Sequence, residues 1–379
     1  AFASKSNREL KKMRWLFNLM SKQALVNFTS KLGLFAVKFS LPFAKSAVKN
    51  TIFEQFCGGE SLLDSQPTID KLHRSKILTI LDYGAEGKSG EIELDKVADE
   101  FLKGIEFSAS NESVPIIGIK LTAIGENEII IKKQSAESLN AEDQKLYDQM
   151  VNRLESICQK AFDLGVGVFI DAEESWMQVT IDDLADEMMM KYNKERVCVY
   201  NTFQLYRHDK LQFLKTSHQK ALENGYLLGA KLVRGAYMEK ERDRALDLGY
   251  ASPIQPDKKS TDHDYNEALR YCLDNYSTIA SCAATHNEKS CFLQAELIAE
   301  RKMPNDHNHL NFCQLLGMSD NITYNLASGG YNVAKYVVYG KVSEVLPYLV
   351  RRAEENTSVT GDVGRELALV EKEINRRGI

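Results

Sequence analysis

From about residue 77 onward the chain alternates short apolar runs with helical segments of ten or more residues, and no Gly/Ser/Pro-rich linker interrupts the series. Eight runs stand out: ILTILDY (77–83), IIGIKLT (116–122), VGVFID (166–171), VCVYNTF (197–203), GAKLVRG (229–235), TIASCAA (278–284), HLNFCQL (309–315) and NVAKYVV (332–338). Most are apolar at consecutive positions rather than at alternate ones, as in parallel strands covered on both faces. Helices must supply that cover. Residues 146–162 show one: Leu146, Met150, Val151, Leu154, Ile157, Cys158 and Ala161 fall on a single 3.6-period stripe, and Gly165 follows as a stop. Similar stripes lie at 97–105, 213–224, 264–275, 288–299 and 342–353. Eight β/α units in series predict an α/β fold, a closed parallel (β/α)8 barrel with its chemistry at the carboxyl ends of the strands. An open doubly wound sheet is the rival, and the missing Gly-x-Gly-x-x-Gly after the first run counts against it.

A chain of 379 residues allows one large barrel or two to three ordinary domains. Continuity of the β/α series favours one, with a helical arm at 1–50, the barrel at 51–360 and a further helix at 361–379. With 44% hydrophobic and 27% charged residues the chain has the makings of a large core. A net charge of −5 argues against a nucleic-acid partner, which needs a basic face to displace counterions. The seven cysteines are odd in number and include no Cys-x-x-Cys pair, so a reducing compartment is expected. No apolar run reaches the roughly 18 residues that span a bilayer, and the start of the chain has no signal-peptide cleavage pattern. A soluble or peripheral protein is therefore expected. Residues 4–50 mix Lys and Arg with apolar side chains, as in Lys11-Lys12-Met13-Arg14-Trp15-Leu16-Phe17. An amphipathic arm packed on the body is the simpler reading; contact with an anionic membrane surface is the other.

The strand ends are unusually polar. Lys120 ends the second run, followed in order by Asp171, Gln204, Lys231 with Arg234, Thr285-His286-Asn287, and Tyr336. Each has a structural alternative: Lys120 can simply pair with Asp171, and His286 can cap the next helix. Their convergence from several strands is what points to a polar cofactor and an anion. Residues 342–356, VSEVLPYLVRRAEEN, add a second signal, because helical spacing gathers Tyr348, Arg351, Arg352 and Glu355 within two turns. Paired guanidiniums suit a carboxylate, and Glu355 can hold one of them. A solvated Arg/Glu helix face is the alternative. His286, His307 and His309 do not define a metal shell, and no metal is expected. Cys57 and Cys313 have no sequence-adjacent base and read as packing residues.

Together FEQFCGGES (53–61), IGIKLTAI (117–124), FIDAEES (169–175), YNTFQLY (200–206), GAKLVRGAYMEKER (229–242), CAATHN (282–287), NFCQLLGM (311–318) and KYVVYGKVSEVLPYLVRRAEEN (335–356) resemble, in order, the proline dehydrogenases. The family includes the stand-alone enzymes and the corresponding domain of bifunctional proline-utilisation proteins. The similarity covers about residues 50–360.

The resemblance implies a distorted (β/α)8 TIM-like barrel with non-covalent FAD across the strand ends and the last barrel helix as a lid. It assigns Arg351 and Arg352, helped by Lys120, to the proline carboxylate, and Tyr336, Tyr348, Tyr237 and Leu315 to the walls around the ring. Glu60 matches a glutamate that pairs with an arginine of the last helix to close the pocket. Cofactor contacts fall to Asp171, Ala172, Gln204, Lys231, the backbone around Arg234, Gly235 and Ala236, and Thr285 with His286. Asp171 and Lys231 stand closest to the chemistry. Many relatives carry Arg where this chain has Lys231, which brings charge without the fork geometry.

The implied reaction, the first step of proline catabolism, moves hydride from the ring carbon beside nitrogen to FAD. Its product is Δ1-pyrroline-5-carboxylate, which can open to glutamate semialdehyde. A quinone is the family's common reoxidant, compatible with peripheral attachment at the bacterial cytoplasmic face or the mitochondrial matrix side. Three alternatives remain: hydroxyproline oxidation on the same scaffold, which Tyr336 disfavours because its ring crowds a 4-hydroxyl; a Schiff-base lyase or aldolase using Lys120 or Lys231; and a non-catalytic flavin-binding protein. Oligomeric state is not encoded in any of these features.

Overall fold

The computed structural model describes residues 2, 5–20, 44–84, 87–135, 138–357 and 362–379, without the side chains of residues 44, 354–357, 362 and 363. Nine strands form one parallel sheet: β1 (Cys57–Gly59), β2 (Leu78–Tyr83), β3 (Ile116–Ile119), β4 (Gly167–Ile170), β5 (Val199–Gln204), β6 (Leu228–Val233), β7 (Ile279–Ala284), β8 (Leu310–Leu315) and β9 (Val333–Tyr339). Strands β2 to β9 pair in sequence order, and β9 returns to β2 from Leu78↔Ala334 to Tyr83↔Tyr339, which closes the barrel. The open doubly wound sheet is thereby excluded. All eight apolar runs become barrel strands.

Strand β1 has no counterpart among those runs. On the β8 side β9 is paired only as far as Leu315↔Tyr336, and β1 takes over that edge at Cys57↔Val338 and Gly59↔Tyr339. An edge of unpaired backbone at the barrel rim is thus covered.

Consecutive apolar residues are explained by two cores on opposite faces of the strands. Leu81, Ile117, Val168, Ile170, Phe203, Leu232, Phe312 and Val337 face the surrounding helices. Ile80, Phe169, Tyr200, Cys282, Cys313, Ala334, Tyr336 and Val338 belong to a second cluster, which fills the barrel and continues into Phe53, Phe56, Tyr348 and Leu349. Neighbours such as Phe169 and Ile170 point opposite ways, as the two-residue strand period requires.

The helical partners follow the stripes read from the sequence and extend them: Glu91–Ala109, Ala141–Leu164, Lys210–Glu223, Lys258–Asp274, Glu288–Glu300 and Val342–Thr357. The second buries Met150, Leu154, Ile157, Cys158 and Ala161 and ends on Gly165 at φ 75°, the left-handed stop that a side chain resists. Further helices, Leu62–His73, Asn127–Gln134, Ser175–Tyr192, Met238–Leu248 and Asp320–Ser328, have no stripe in that reading.

Helix Asn7–Met20 turns Leu10, Met13, Leu16, Phe17 and Met20 inward, so the described part of the arm packs on the body. It lies against the terminal helix Asp362–Arg377, whose Arg377 donates to the carbonyls of Lys5 (2.8 Å) and Phe2 (2.7 Å). Among the described residues no helix is long and apolar enough to cross a membrane.

Candidate active site

Strand β4 hands Asp171 to the barrel mouth, while Lys231 rises from inside β6 and Tyr336 from inside β9. Lys231 Nζ donates to Asp171 Oδ1 at 2.5 Å, the Tyr336 hydroxyl donates to Oδ2 at 2.8 Å, and Lys120 Nζ lies 3.9 Å from Oδ2. Burial by itself would raise the Asp171 pKa; the charges of Lys231 and Lys120, with hydrogen bonds from Lys231 and Tyr336, outweigh it and hold the carboxyl below its ordinary value. Burial and the facing Asp171 carboxylate push the Tyr336 phenol upward, so it stays a donor. The Lys231 ammonium also sits 4.6 Å from the Tyr336 ring centre and 5.3 Å from that of Phe169. Gly118 makes room for this group, since a Cβ there would lie 2.2 Å from the Tyr336 hydroxyl oxygen.

The turn after β4 is held from behind by a polar chain. Buried Gln204 donates through Nε2 to the Glu173 carbonyl at 2.7 Å, and the Glu173 N–H donates to Gln178 Oε1 at 2.7 Å. Gln178 Nε2 and Asn201 Nδ2 both donate to Asp182 Oδ1 at 2.9 Å, and Asp182 pairs with buried Lys210. The Glu173 side chain accepts from the Thr122 hydroxyl at 2.5 Å, and burial raises its pKa against the attraction of Lys120. Ala172 is buried in the same turn.

After β6, the Arg234 guanidinium is committed to the outer helices: Nε donates to Asp262 at 2.8 Å, and its terminal nitrogens donate to Thr285 at 2.7 Å and Ser290 at 3.0 Å. The next residues, Gly235 and Ala236, are exposed just past the carboxyl end of β6. Asn287, not His286, caps helix Glu288–Glu300, accepting from the Ser290 N–H at 3.2 Å. The capping alternative for His286 is therefore overturned: its Nδ1 instead lies 3.0 Å from Ser319 Oγ. Burial and the charges of Lys335, Arg352, Arg365 and Arg234 push the imidazole down to about 3, so it is neutral near pH 7.

The helix after β9 carries the two arginines. Burial raises the Tyr237 hydroxyl to about 12 while the charges of Lys120 and Arg351 pull it down, so Arg351 acts on the same corner as Lys120. Arg352, nearly buried, lies with Cζ 5.3 Å from the Tyr348 ring centre, and its field reaches His286. Leu315 closes β8, half-buried against the cluster that contains Tyr336 and Tyr348. Glu60 stands at the N-terminus of this helix, 3.5 Å from the Val342 N–H, and forms an ion pair with Lys49. The side chain of Glu355 lies outside the described residues.

Several residues of this region are not among the site candidates read from the sequence. Lys335, fully buried in β9, sits 3.0 Å from Asp320, which also meets Lys5 at 3.1 Å. Ser319 and Glu366 join His286 from elsewhere in the chain. His307 and His309 touch each other at the opposite end of β8 from the mouth, and among the described residues no three metal-binding side chains gather. Cys57 and Cys313 are buried, and burial pushes the Cys57 thiol upward.

A family model described as proline dehydrogenase matches residues 65–365, the greater part of the barrel and the helix after β9. The chain belongs to the proline dehydrogenase family. Mitochondrial proline dehydrogenase 1 of Dictyostelium discoideum is 32% identical over 401 residues, covering 94% of this chain and 69% of that relative. The carbapenem antibiotics biosynthesis protein CarD of Pectobacterium carotovorum subsp. carotovorum is 32% identical over 349 residues, covering 92% and 90%. Hydroxyproline dehydrogenase of Xenopus laevis is 30% identical over 413 residues, covering 99% and 88%. Among solved structures, proline utilization A from Bdellovibrio bacteriovorus inactivated by N-propargylglycine matches with a TM-score of 0.76 at 21% identity. That match covers 97% of this chain but 40% of the longer protein, and it establishes the barrel fold that proline dehydrogenases share.

Proposed function

We propose that this proline dehydrogenase family member oxidises L-proline to Δ1-pyrroline-5-carboxylate with non-covalently bound FAD. The observation that carries the reading is the meeting of Asp171, Lys231 and Tyr336 at a barrel mouth rimmed by Lys120, Arg351 and Arg352.

The residues present fit a flavin. An isoalloxazine offers N–H and carbonyl groups along its pyrimidine edge and accumulates negative charge there when reduced. Gln204 engages its Nε2 within the protein while, among the described residues, its Oε1 accepts no hydrogen bond, and the Lys231 ammonium stands 2.5 Å from Asp171 on the same rim. Thr285, His286 and the exposed backbone at Gly235 and Ala236 extend this polar rim for the rest of the cofactor. When bound, FAD supplies the hydride acceptor.

The chain's own residues bind and orient the amino acid. Arg351 and Arg352 grip its carboxylate with planar, permanently charged forks, and Lys120 adds a third contact. Tyr237, Leu315, Tyr336 and Tyr348 wall the ring and exclude water. Asp171 fixes Lys231 where a fixed positive charge favours the reduced cofactor, and no reorganisation is needed during reaction. Glu60 latches the start of the lid helix.

Electrons then pass to a quinone, with the protein at the matrix or cytoplasmic face of a membrane. The outward side of helix Asn7–Met20 supports peripheral contact: Arg8, Lys11 and Arg14 are exposed there with Trp15. Hydroxyproline is the second reading, favoured by the full-length similarity to the Xenopus laevis enzyme. Tyr336, pinned by Asp171, stands against it. Anaerobic titration of the yellow protein decides: bleaching by proline and not by trans-4-hydroxyproline is expected, and a protein that takes up no FAD would end the proposal.

A further inference from the structure

The terminal helix Asp362–Arg377 reaches the rim with two consecutive residues. Arg365 donates to the His286 carbonyl at 3.2 Å and pairs with Glu288 at 3.6 Å. Glu366 accepts from the Ser319 N–H at 2.7 Å, and Ser319 Oγ is 3.0 Å from His286 Nδ1. His286 is therefore held at its backbone by one residue of this helix and at its ring, through Ser319, by the next. Glu366 lies just past the residues matched by the family model, which end at 365.

We propose that Glu366 is a positioning residue for cofactor binding: by fixing Ser319 it orients the His286 ring at the FAD rim, so the terminal helix completes the site. The proposal rests on the flavin reading above. Ser319 adopts φ 52°, a left-handed conformation disfavoured for a side-chain-bearing residue, and the Glu366 carboxylate binding its N–H holds it there. A buried network of this kind orders its last member only while every member is satisfied.

The groups facing Glu366 are Arg365 on its own helix, Asp320 beside Ser319, Lys335 from β9 behind Asp320, and Lys5 from the N-terminal segment on Asp320's other oxygen. Burial first, then the Asp320 charge, raises the Glu366 pKa to about 7, against Lys335, the Ser319 N–H and Arg365. The anchor therefore gains its charge, and its stronger hydrogen bond, as pH rises through neutrality.

The test is the FAD dissociation constant of Glu366→Gln, Glu366→Ala and Ser319→Gly, measured by flavin fluorescence at pH 6 and pH 8, with circular dichroism to verify folding. Glycine at 319 tolerates the backbone angle, keeps the N–H that Glu366 binds and removes the hydroxymethyl group that meets His286. We expect FAD binding about tenfold weaker in Glu366→Ala at pH 8 and in Ser319→Gly, the weight of one hydrogen bond. In Glu366→Gln the loss should be marked at pH 8 and nearly absent at pH 6, where the native side chain is largely neutral. Folded variants that bind FAD as tightly as the native protein at both pH values would overturn the role of Glu366 while leaving the flavin reading intact. A native protein without FAD affinity would overturn both.

Discussion

Lys231 Nζ meets Asp171 Oδ1 at 2.5 Å across the barrel mouth, from strands separated by β5. Removing either partner strands the other in a buried position, which is costlier than the pair's net contribution suggests. Lys231→Met is expected to lower proline kcat/KM by about a hundredfold, the scale for losing one preorganised electrostatic contact. Steady-state kinetics on protein whose flavin absorbance has been equalised checks it; an unchanged kcat would detach Lys231 from the reaction.

Gly118 and Tyr336 are a second dependent pair. A methyl at 118 meets the tyrosine oxygen at 2.2 Å, so Gly118→Ala must swing the phenol off Asp171 or push β3 and β9 apart. Overpacking of this kind costs about 1–3 kcal/mol. A lowered melting temperature is expected, with proline turnover falling further than stability alone explains. Equal thermal stability and kinetics in the variant would show that the tyrosine tolerates displacement.

The arginine pair on the lid helix predicts a loss concentrated in substrate binding. Charge-assisted hydrogen bonds contribute about 1.5–3 kcal/mol each, so Arg351→Met and Arg352→Met should each weaken kcat/KM for proline roughly 10- to 150-fold. The FAD content should hold in Arg351→Met. Competitive inhibitors that lack a carboxylate should lose nothing in the same variants, and a parallel loss for them would assign the arginines to lid packing instead.

How far the sequence disclosed this depended on whether the signal was local. The barrel strands were legible because each residue buries into one of two cores, leaving long apolar runs. β1 was not: Cys57-Gly58-Gly59 is three residues with two glycines and no branched side chain, and it forms only because β9 outruns β8. Helix Ser175–Tyr192 escaped for the opposite reason. It is buried on most sides, including Gln178, Thr180, Asp182 and Asp186, so no apolar stripe contrasts with a polar one. Lys120, Asp171, Lys231 and Tyr336 sit at the ends or on the inner faces of readable strands, and their positions followed. Glu173, Lys335, Ser319 and Glu366 are joined only by tertiary contacts, which no spacing records. The capping alternative for His286 fails because Asn287, one residue on, takes that place.

Beneath the rim, Asp320 ties three parts of the chain together: Lys335 of β9 at 3.0 Å, Lys5 of the N-terminal segment at 3.1 Å, and its own helix Asp320–Ser328. Burial would raise its pKa, but Lys5 and Lys335 pull it well below the ordinary carboxylate range, while the same contact raises that of Lys5. A carboxylate whose folded pKa is depressed contributes stability that is fully present above its unfolded value, about 4, and lost as pH falls through the folded value. Asp320→Asn leaves fully buried Lys335 without its counter-charge, a change that costs about 3–5 kcal/mol when a buried pair is broken. With Glu366 replaced by Gln in both proteins, so that the carboxyl raised by the Asp320 charge no longer titrates, the melting-temperature gap caused by Asp320→Asn should therefore be constant from pH 8 to about 5 and narrow only below about 4, where Asp320 begins to protonate in the unfolded chain. A gap in that background that instead closed between pH 8 and 6 would mean that a group other than the Asp320 carboxylate governs this junction.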